Sequence, residues 1–253
     1  MNRIDINADM GESFGNWKLG NDEELIKHVS SANIACGFHA GDWDVMRRSV
    51  DLALEYKVAV GAHPSYPDLH GFGRRHLDMA AAQLVNVILY QLGALGAITR
   101  AAGTEIVHVK PHGALYHDAM KSIETAEAVA KAIKLFARDL TVYCLPNSCL
   151  EKAAGAAGLF PCTEGFGDRS YEPNGSLTDR RISGSVLKME DAVAQSLDLV
   201  NGSIRARDGS TIQLTVETIC IHGDSPGAPS TARAVREAFA ERGVVVAAPR
   251  DRV

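Results

Sequence analysis

A short stretch in the middle of the chain places basic residues at every second position. After Ile106 these residues are His108, Lys110 and His112, and apolar residues or proline stand between them. Because side chains of a β-strand point alternately to its two faces, the stretch predicts a strand with one basic and one apolar face. Lysine is almost never fully buried without a partner. The pattern therefore fits either a functional site or a core histidine beside a surface lysine.

Strand patterns and helix patterns alternate along the whole chain. The predicted strands cover residues 4–9, 32–38, 58–62, 106–111, 141–145, 160–163 and 218–221, with a short last strand at 244–247. The predicted helices cover residues 21–31, 42–57, 79–102, 122–138, 148–157, 189–200 and 229–242. This alternation is typical of a parallel sheet covered by helices, and seven repeats favour closure into a barrel.

We therefore expect a single α/β domain over residues 1–253, with an irregular TIM-like (β/α)7 barrel fold. Asp208-Gly209 is a strong turn signal between two short strand patterns. It predicts a β-hairpin insertion at about residues 203–216.

Several predicted strands end in a polar residue on the face opposite the aliphatic one. If the aliphatic faces pack against outer helices, the polar ends converge at one mouth of the barrel, where the active sites of such barrels lie. We expect Lys110 one layer below this mouth. The residues that we expect to be catalytic are Asp9, His39, His63, Lys110, His112, Glu164, His222 and Asp224.

Histidines grouped with carboxylates suit general acid–base catalysis, because histidine titrates near neutral pH. The same residue types could bind zinc. However, the first strand has Asn7-Ala8-Asp9 where metal-dependent amidohydrolases carry a His-x-His pair. A buried Lys110 would also repel a cation unless it were deprotonated. We therefore assign no metal ligands and expect no tightly bound metal.

Two glycine-containing segments precede arginines. Gly71-Phe72-Gly73 leads into Arg74 and Arg75, and Gly165-Phe166-Gly167-Asp168 leads into Arg169. Neither segment completes a dinucleotide-binding fingerprint, and no P-loop occurs. Arginine beside a flexible turn suits the binding of a carboxylate or phosphate. For Arg74 and Arg75 an ordinary solvated loop arginine is an equally simple explanation.

The composition of the 253-residue chain argues against several classes of protein. Its net charge is −5 at pH 7 and no basic run occurs, which argues against nucleic-acid binding. Five widely spaced cysteines without a C-x-x-C pair favour reduced thiols. We expect no signal peptide, because a strand begins almost at Met1, and no apolar run of membrane-spanning length. The protein is thus expected to be cytoplasmic, with no membrane partner.

The chain resembles the LamB/YcsF family in five long motifs. They begin at Asp5, Asn33, Gly61, Val109 and Ile221, and they read DINADMGE, NIACGFHAGD, GAHPSYPD, VKPHGALY and IHGDSPG. Residues 164–187 depart most from the family pattern. The resemblance implies a barrel of the glycoside hydrolase/deacetylase type. It also implies one component of an ATP-dependent 5-oxoprolinase, which hydrolyses 5-oxo-L-proline to L-glutamate together with subunits B and C.

The resemblance further implies ATP with Mg²⁺ as co-substrate and a small-molecule substrate. A five-membered lactam is an unreactive amide, so its hydrolysis needs a metal or activation of the carbonyl oxygen, which ATP could phosphorylate. Lys110 and Arg169 suit the anionic groups of such a reaction. The residues that we expect to bind substrate are Asn7, Glu12, Asp42, Arg74, Tyr116, Asp168 and Arg169.

Two other functions fit the same residues. One is a self-sufficient metal-dependent amidohydrolase or deacetylase. The other is a non-catalytic subunit that binds oxoproline and delivers it to another chain.

Overall fold

The computed structural model describes residues 3–224 and 227–249, and a closed ring of parallel strands organises them. Ser225 and Pro226, inside the last family motif, and both chain ends lie outside the described residues. The strands are β1 (Arg3–Met10), β2 (Ser31–Ala35), β3 (Ala59–His63), β4 (His108–Val109), β5 (Thr141–Cys144), β6 (Phe160–Phe166), β7 (Ser203–Arg205), β8 (Thr211–Gln213), β9 (Thr218–Cys220) and β10 (Val245–Val246).

Seven of these strands close the barrel. Strands β1 to β6 pair in sequence order, β6 pairs with β9, and β9 pairs with β1. All of these pairings are parallel. Strand β10 pairs with the start of β1, and β7 and β8 form a separate antiparallel hairpin. The predicted (β/α)7 barrel is therefore confirmed, and the predicted hairpin lies at its predicted position.

Helices follow most of the strands. They are α1 (Asp22–Leu25, continued by a 3-10 turn over Ile26–His28), α2 (Trp43–Glu55), α3 (Ala81–Ala101), α4 (Gly113–Lys121), α5 (Ile123–Phe136), α6 (Cys149–Ala156), α7 (Met189–Val200) and α8 (Ala228–Glu241). Side-chain oxygens of Asp42, Ser122 and Ser148 accept hydrogen bonds from the first turns of α2, α5 and α6. Each such cap satisfies a backbone donor that has no partner within the helix.

The alternation of β1 separates the outer core from the barrel interior. Ile4, Ile6 and Ala8 belong to the buried hydrophobic cluster. Burying each of the larger aliphatic side chains contributes roughly 1.5–3 kcal/mol. Asp5 and Asn7 lie on the opposite face, and both are buried as well. The barrel interior is consequently polar, as the alternation of polar and apolar residues in the sequence predicts.

Three predicted elements differ from the structure in extent. The first helix ends early, because Ser31 is already in β2 and donates a hydrogen bond to Asp5. The ladder of β4 has two residues instead of six, although the chain around it is buried. Strand β6 continues to Phe166, so Glu164 lies within the strand and not at its end.

Helix α4 was not predicted, and the expectation of no apolar run of membrane-spanning length was wrong. Pro111 and Gly113 look like helix breakers, but Pro111 precedes the helix and Gly113 is its first residue, with a φ of 54°. Helix α3 is long and apolar enough to cross a membrane by length and composition alone, contrary to the expectation of no such run. Leu84, Ile88 and Leu92 on one of its faces are buried in the hydrophobic cluster of the barrel.

Candidate active site

The barrel interior is filled by polar side chains in successive layers, and Asp5 forms the deepest one. Its carboxylate accepts hydrogen bonds from the hydroxyl groups of Ser30, Ser31, Tyr143 and Thr218. Burial raises the pKa of Asp5 and outweighs these donors, which favour the ionised form. This layer joins β1, β2, β5 and β9, so its contacts serve the barrel itself.

The middle layer is centred on the ammonium group of Lys110. Its Nζ lies 2.8 Å from Glu164 Oε1, 3.2 Å from Asp9 Oδ1, 3.1 Å from Asn7 Oδ1 and 3.0 Å from Cys220 Sγ. An ammonium group has three hydrogens, so these four acceptors already occupy it. A substrate oxygen would have to displace one of them to receive a hydrogen bond from Lys110.

The charges of this layer fix one another's ionisation. Burial alone would lower the pKa of Lys110, but Asp9, Cys220 and Glu164 raise it well above its ordinary value. Burial alone would raise the pKa of Asp9, but His63 and Lys110 hold it well below its ordinary value. Lys110 is therefore charged and Asp9 is a carboxylate at neutral pH.

Three imidazoles and a carboxylate meet at the mouth of the barrel. His39, His63, His112 and Glu12 are all buried, and one ligand atom of each lies within 4.8 Å of all the others. His63 Nε2 is 3.0 Å from His112 Nδ1, and Glu12 Oε1 is 3.5 Å from the same His112 nitrogen. The His39 ring stacks on that of His112 with centroids 3.7 Å apart, and its Nε2 is 3.2 Å from Glu12 Oε1.

Burial sets the protonation of this cluster. It lowers the pKa of His39 well below the ordinary value, helped by the neighbouring His63 imidazole, and it does the same for the pKa of His112, helped by the His39 and His63 imidazoles. Burial also raises the pKa of Glu12 well above its ordinary value, and the negative charges of Asp9 and Asp224 add to this shift. His39 and His112 are thus neutral at neutral pH.

A second imidazole–carboxylate pair lies on the other side of the mouth. Asp168 Oδ1 is 2.9 Å from His222 Nδ1, and Asp168 Oδ2 accepts from the backbone N–H of His222. A carboxylate at this position makes Nδ1 the protonated nitrogen, so Nε2 becomes the acceptor. Burial would raise the pKa of Asp168, but the neighbouring His222 imidazole and the hydrogen bonds from His222 lower it. This arrangement is that of an oriented general base.

A cavity of about 30 Å³ lies between these groups. Asp9, His63, Lys110, His112 and His222 line it. Tyr116, whose hydroxyl donates to Glu164 Oε2, is also part of the wall. The other wall residues are Arg74, Pro111, Gly113, His117, Phe166, Arg169 and Leu177. Residues 169–187, here called the covering segment, contribute Arg169 and Leu177. The cavity has room for about one or two water molecules in this arrangement.

A wider groove of about 720 Å³ lies beside the cavity and shares wall residues with it. The shared residues are Arg74, Gly113, His117, Arg169 and Leu177. The groove adds Lys121, Arg180 and Arg181 to these, so most of its charged wall residues are cationic. A path that starts in a cationic groove and ends at acid–base groups suits an anionic small molecule.

The structure brings most of the predicted site residues together. The ring of Asp9, His39, His63, His112 and His222 forms at one mouth, Lys110 lies one layer below, and Asn7, Glu12, Tyr116 and Glu164 contact members of this set. Asp168 touches His222 instead of the cavity.

Three predicted site residues lie apart from the ring. Asp42 caps α2 and accepts from the backbone N–H of Gly15. Asp224 lies at the rim, where it pairs with Arg180 at 2.7 Å and Arg74 at 3.6 Å. Arg169 lines the cavity but donates to the carbonyls of Ser185 and Thr178, so it holds the covering segment.

Sequence reasoning missed two residues whose side chains are hydrogen-bonded to Asp9 or Lys110. Asn33 donates to Asn7 Oδ1 and Asp9 Oδ1 and lies 2.8 Å from His108 Nε2. Cys220 touches Lys110. Both are at strand positions whose side chains point into the barrel. The alternation of polar and apolar residues along these strands could have identified them.

Comparison with known proteins places the chain in a family. The model of the LamB/YcsF family matches residues 4–252. The chain belongs to the LamB/YcsF family. Among its relatives in this family, the A subunit of 5-oxoprolinase from Methylococcus capsulatus is 51% identical over 97% of this chain and 95% of the relative. The A subunit from Pyrococcus abyssi is 47% identical over 98% of each chain.

Solved structures agree with this assignment. The lactam utilization protein from Thermus thermophilus superposes with a TM-score of 0.92 at 44% identity, over 97% of this chain and 99% of that one. A family 4 carbohydrate esterase from Streptomyces lividans has a TM-score of 0.50 at 12% identity, over 99% and 95% of the two chains. The esterase shares only the fold, which supports the predicted deacetylase-type barrel.

Proposed function

We propose that the chain is the A subunit of an ATP-dependent 5-oxoprolinase, which opens 5-oxo-L-proline to L-glutamate. The full-length similarity to relatives that carry this name and to a lactam utilization protein supports this substrate class. The observation that carries the proposal is the convergence of His222, oriented by Asp168, and ionised Asp9 on one cavity. Ring opening of a lactam needs a base that takes a proton from water and an acid that gives one to the ring nitrogen, and an oriented imidazole can do both in turn.

The residues divide the hydrolysis as follows. His222 Nε2 accepts a proton from water as the water oxygen adds to the carbonyl carbon of the O-phosphorylated lactam, and His222 gives that proton to the ring nitrogen as the C–N bond breaks. A second water then hydrolyses the acyl phosphate so formed to glutamate and inorganic phosphate. Lys110 keeps Asp9 ionised beside this centre. Arg74 lines both cavity and groove and is placed to bind the carboxylate of the substrate.

The cationic groove is the proposed place of the phosphate chemistry. ATP, with Mg²⁺, would serve as co-substrate and supply the phosphoryl group that activates the lactam oxygen. Lys121, Arg180 and Arg181 at the outer end suit phosphate oxygens, and the shared wall residues lead from there to His222. The covering segment must shift to admit a substrate, because the present cavity holds only about one or two waters.

We further propose that the chain acts in the cytoplasm with two partner subunits, B and C. The naming of its relatives as one lettered subunit of 5-oxoprolinase supports the need for other subunits. The five cysteines, all free in the structure, suit a reducing compartment.

The experiment that tests this function measures glutamate released from 5-oxoproline by the complete chain. We expect little release by the chain alone and full activity with ATP and subunits B and C. Robust release without ATP and partners would contradict the proposal and favour a stand-alone amidohydrolase, for which the histidine cluster at the mouth would be the centre. Unchanged turnover of the complete assembly after Asp168→Asn and after His222→Gln, with oxoproline still bound by this chain, would favour a delivery role.

A further inference from the structure

We propose that Glu12, His63 and His112 form a binding site for one divalent first-row transition-metal ion of the Zn²⁺ type. The inference rests on the geometry of the mouth and does not depend on the substrate proposed above. It concerns nitrogen and oxygen lone pairs that face one another without a hydrogen between them.

Backbone carbonyls fix the tautomers of both histidines. His63 Nδ1 lies 2.7 Å from the carbonyl oxygen of Lys110, and His112 Nε2 lies 2.8 Å from that of Phe72. A carbonyl oxygen only accepts, so each of these ring nitrogens carries the hydrogen. The remaining nitrogens, His63 Nε2 and His112 Nδ1, are then both acceptors, yet they lie 3.0 Å apart. Two lone pairs at this distance repel unless a cation lies against them.

The spacing of the donor atoms fits a metal ion. Ligand atoms bonded at ~2.0–2.1 Å to a tetrahedral Zn²⁺ lie roughly 3.3–3.4 Å apart. His112 Nδ1 is 3.0 Å from His63 Nε2 and 3.5 Å from Glu12 Oε1. Two imidazoles and one carboxylate are also a ligand set that zinc enzymes use, with a fourth position left open.

The hydrogen bonds behind the two imidazoles are those of metal ligands. A histidine that binds a metal almost always donates its other N–H to a carbonyl or carboxylate, which fixes the ring orientation. His63 and His112 both do so through backbone carbonyls. Gly73 lets the second of these contacts form, because a Cβ there would lie 2.7 Å from His112 Cδ2.

His39 is a positioning residue in this arrangement. Its ring is parallel to that of His112 within 6°, with centroids 3.7 Å apart. The planes of two such stacked rings are parallel and do not meet, so one ion cannot lie in both planes and receive an in-plane lone pair from each ring. His39 instead lies 3.2 Å from Glu12 Oε1 and holds that carboxylate against the pair of histidines.

The surrounding charges permit a cation. Lys110, which on sequence grounds would repel one, is paired with Asp9 and Glu164, so its charge is compensated. Asp9 Oδ1 is also 3.4 Å from His63 Nε2. Asp9, His63 and His112 line the cavity, so the open position of a bound ion would face it. The sequence led us to expect no tightly bound metal because β1 lacks a His pair, but the imidazoles here come from the end of β3 and from the loop between β4 and α4.

The test measures Zn²⁺ binding by the full chain. The protein is first stripped with a chelator and dialysed, and Zn²⁺ is then added back. We expect one Zn²⁺ per chain by elemental analysis and a single saturable site by calorimetry, with a rise in melting temperature. His63→Ala and His112→Ala should each weaken Zn²⁺ binding by at least about a hundredfold, since even outer partners of metal ligands matter 10–100-fold. His76→Ala is the matched control, because His76 is an exposed histidine paired with Asp118 outside the cluster. It should bind Zn²⁺ as wild type does.

A second measurement covers variants that fail to fold. In ¹⁵N-histidine wild-type protein, Zn²⁺ should shift one imidazole at its Nε2 and another at its Nδ1, as the two opposite tautomers require. Absence of saturable binding would overturn the proposal and show that a shared proton occupies the space between the two nitrogens. Equal weakening by His76→Ala, or no effect of His63→Ala and His112→Ala, would also overturn it. None of these readouts depends on 5-oxoprolinase activity.

Discussion

The ammonium group of Lys110 lies 2.8 Å from Glu164 Oε1 at the centre of the barrel, and both side chains are buried. Asp9 adds a second carboxylate at 3.2 Å. Removing one member of a set of buried charges leaves the others without a partner of opposite charge. The free-energy cost of these unpaired buried charges exceeds the net stabilisation that the intact set contributes. Lys110 is therefore a structural as well as a chemical residue.

We expect Lys110→Met to lower the free energy of unfolding by about 3–5 kcal/mol, because Asp9 and Glu164 would face each other without a cation. Urea denaturation at neutral pH measures this. Adding Glu164→Gln to the same chain should recover part of the loss. Lys27→Met is the control: Lys27 pairs with Glu24 on the surface, and its loss should leave the free energy of unfolding almost unchanged. Equal effects of both lysine variants would contradict the buried ion pair.

Gly61 makes room for the His108 ring, and this yields a second prediction. A Cβ at Gly61 would lie 1.9 Å from His108 Nε2. We expect Gly61→Ala to destabilise the protein by at least about 1–3 kcal/mol through overpacking. The double variant Gly61→Ala/His108→Ala should be less destabilised than the two single effects added together, as measured by thermal or urea unfolding.

Two helical glycines serve as controls for this substitution. A Cβ at Gly93 in α3 or Gly155 in α6 would meet nothing within 4 Å. Alanine there should be neutral or stabilise the protein by up to about 1 kcal/mol, because it raises helix propensity. Additive effects in the double variant of Gly61 and His108 would show that the two residues do not compete for space.

The phase of the strands made the barrel interior predictable from sequence. Asp5, Asn7 and Asp9 alternate with aliphatic residues, and the structure turns them inward as that alternation requires. The same rule would have found Asn33 and Cys220. Asp42 shows the limit of a motif: its cap position is legible from the sequence, and the structure finds it capping α2 and not in the ring.

Other features depend on contacts that no local pattern encodes. The tautomers of His63 and His112 are set by carbonyls of Lys110 and Phe72, which the chain brings near only after folding. The ion pair between Arg180 and Asp224 likewise joins residues that are far apart in the sequence. Helix α4 was missed because proline and glycine usually mark the end of an element. Here Pro111 and Gly113 lie between β4 and the first turn of α4.

Acid stability gives a third prediction. Burial, together with the charge on Lys110 and the neighbouring His63 imidazole, lowers the pKa of His108 from its ordinary 6.5 to about 3. Between these values the unfolded chain binds a proton that the folded chain does not. His108 therefore favours folding fully above about pH 6.5, and its contribution falls by up to about 1.4 kcal/mol per pH unit as the pH drops towards 3.

The measurement compares free energies of unfolding at about pH 7.5 and about pH 5.5 for wild type and His108→Gln. His39 and His112, whose pKa values are also lowered, add to the wild-type slope. On acidification, the free energy of unfolding of the variant should fall less steeply than that of wild type. The difference in slope corresponds to the one proton that His108 binds only in the unfolded chain, and it does not depend on the variant's stability at pH 7.5. Identical slopes would mean that His108 is protonated in the folded state.

The last prediction concerns the contact between Asp168 and His222. Asp168→Asn keeps the size of the side chain but removes the charge that fixes the N–H on His222 Nδ1. Loss of this orientation should lower kcat for glutamate formation by about 10²–10⁴-fold in the assembly with ATP and partner subunits. KM for 5-oxoproline should change little, because Asp168 touches His222 and does not line the cavity. Asp51→Asn is the matched control, since Asp51 pairs with Arg47 on the surface of α2, away from both cavity and groove. A fall in kcat confined to Asp168→Asn, in protein that melts at the wild-type temperature, would identify His222 as the base. Equal turnover in the two variants would remove His222 from that role and leave Asp9 as the remaining ionised group on the cavity.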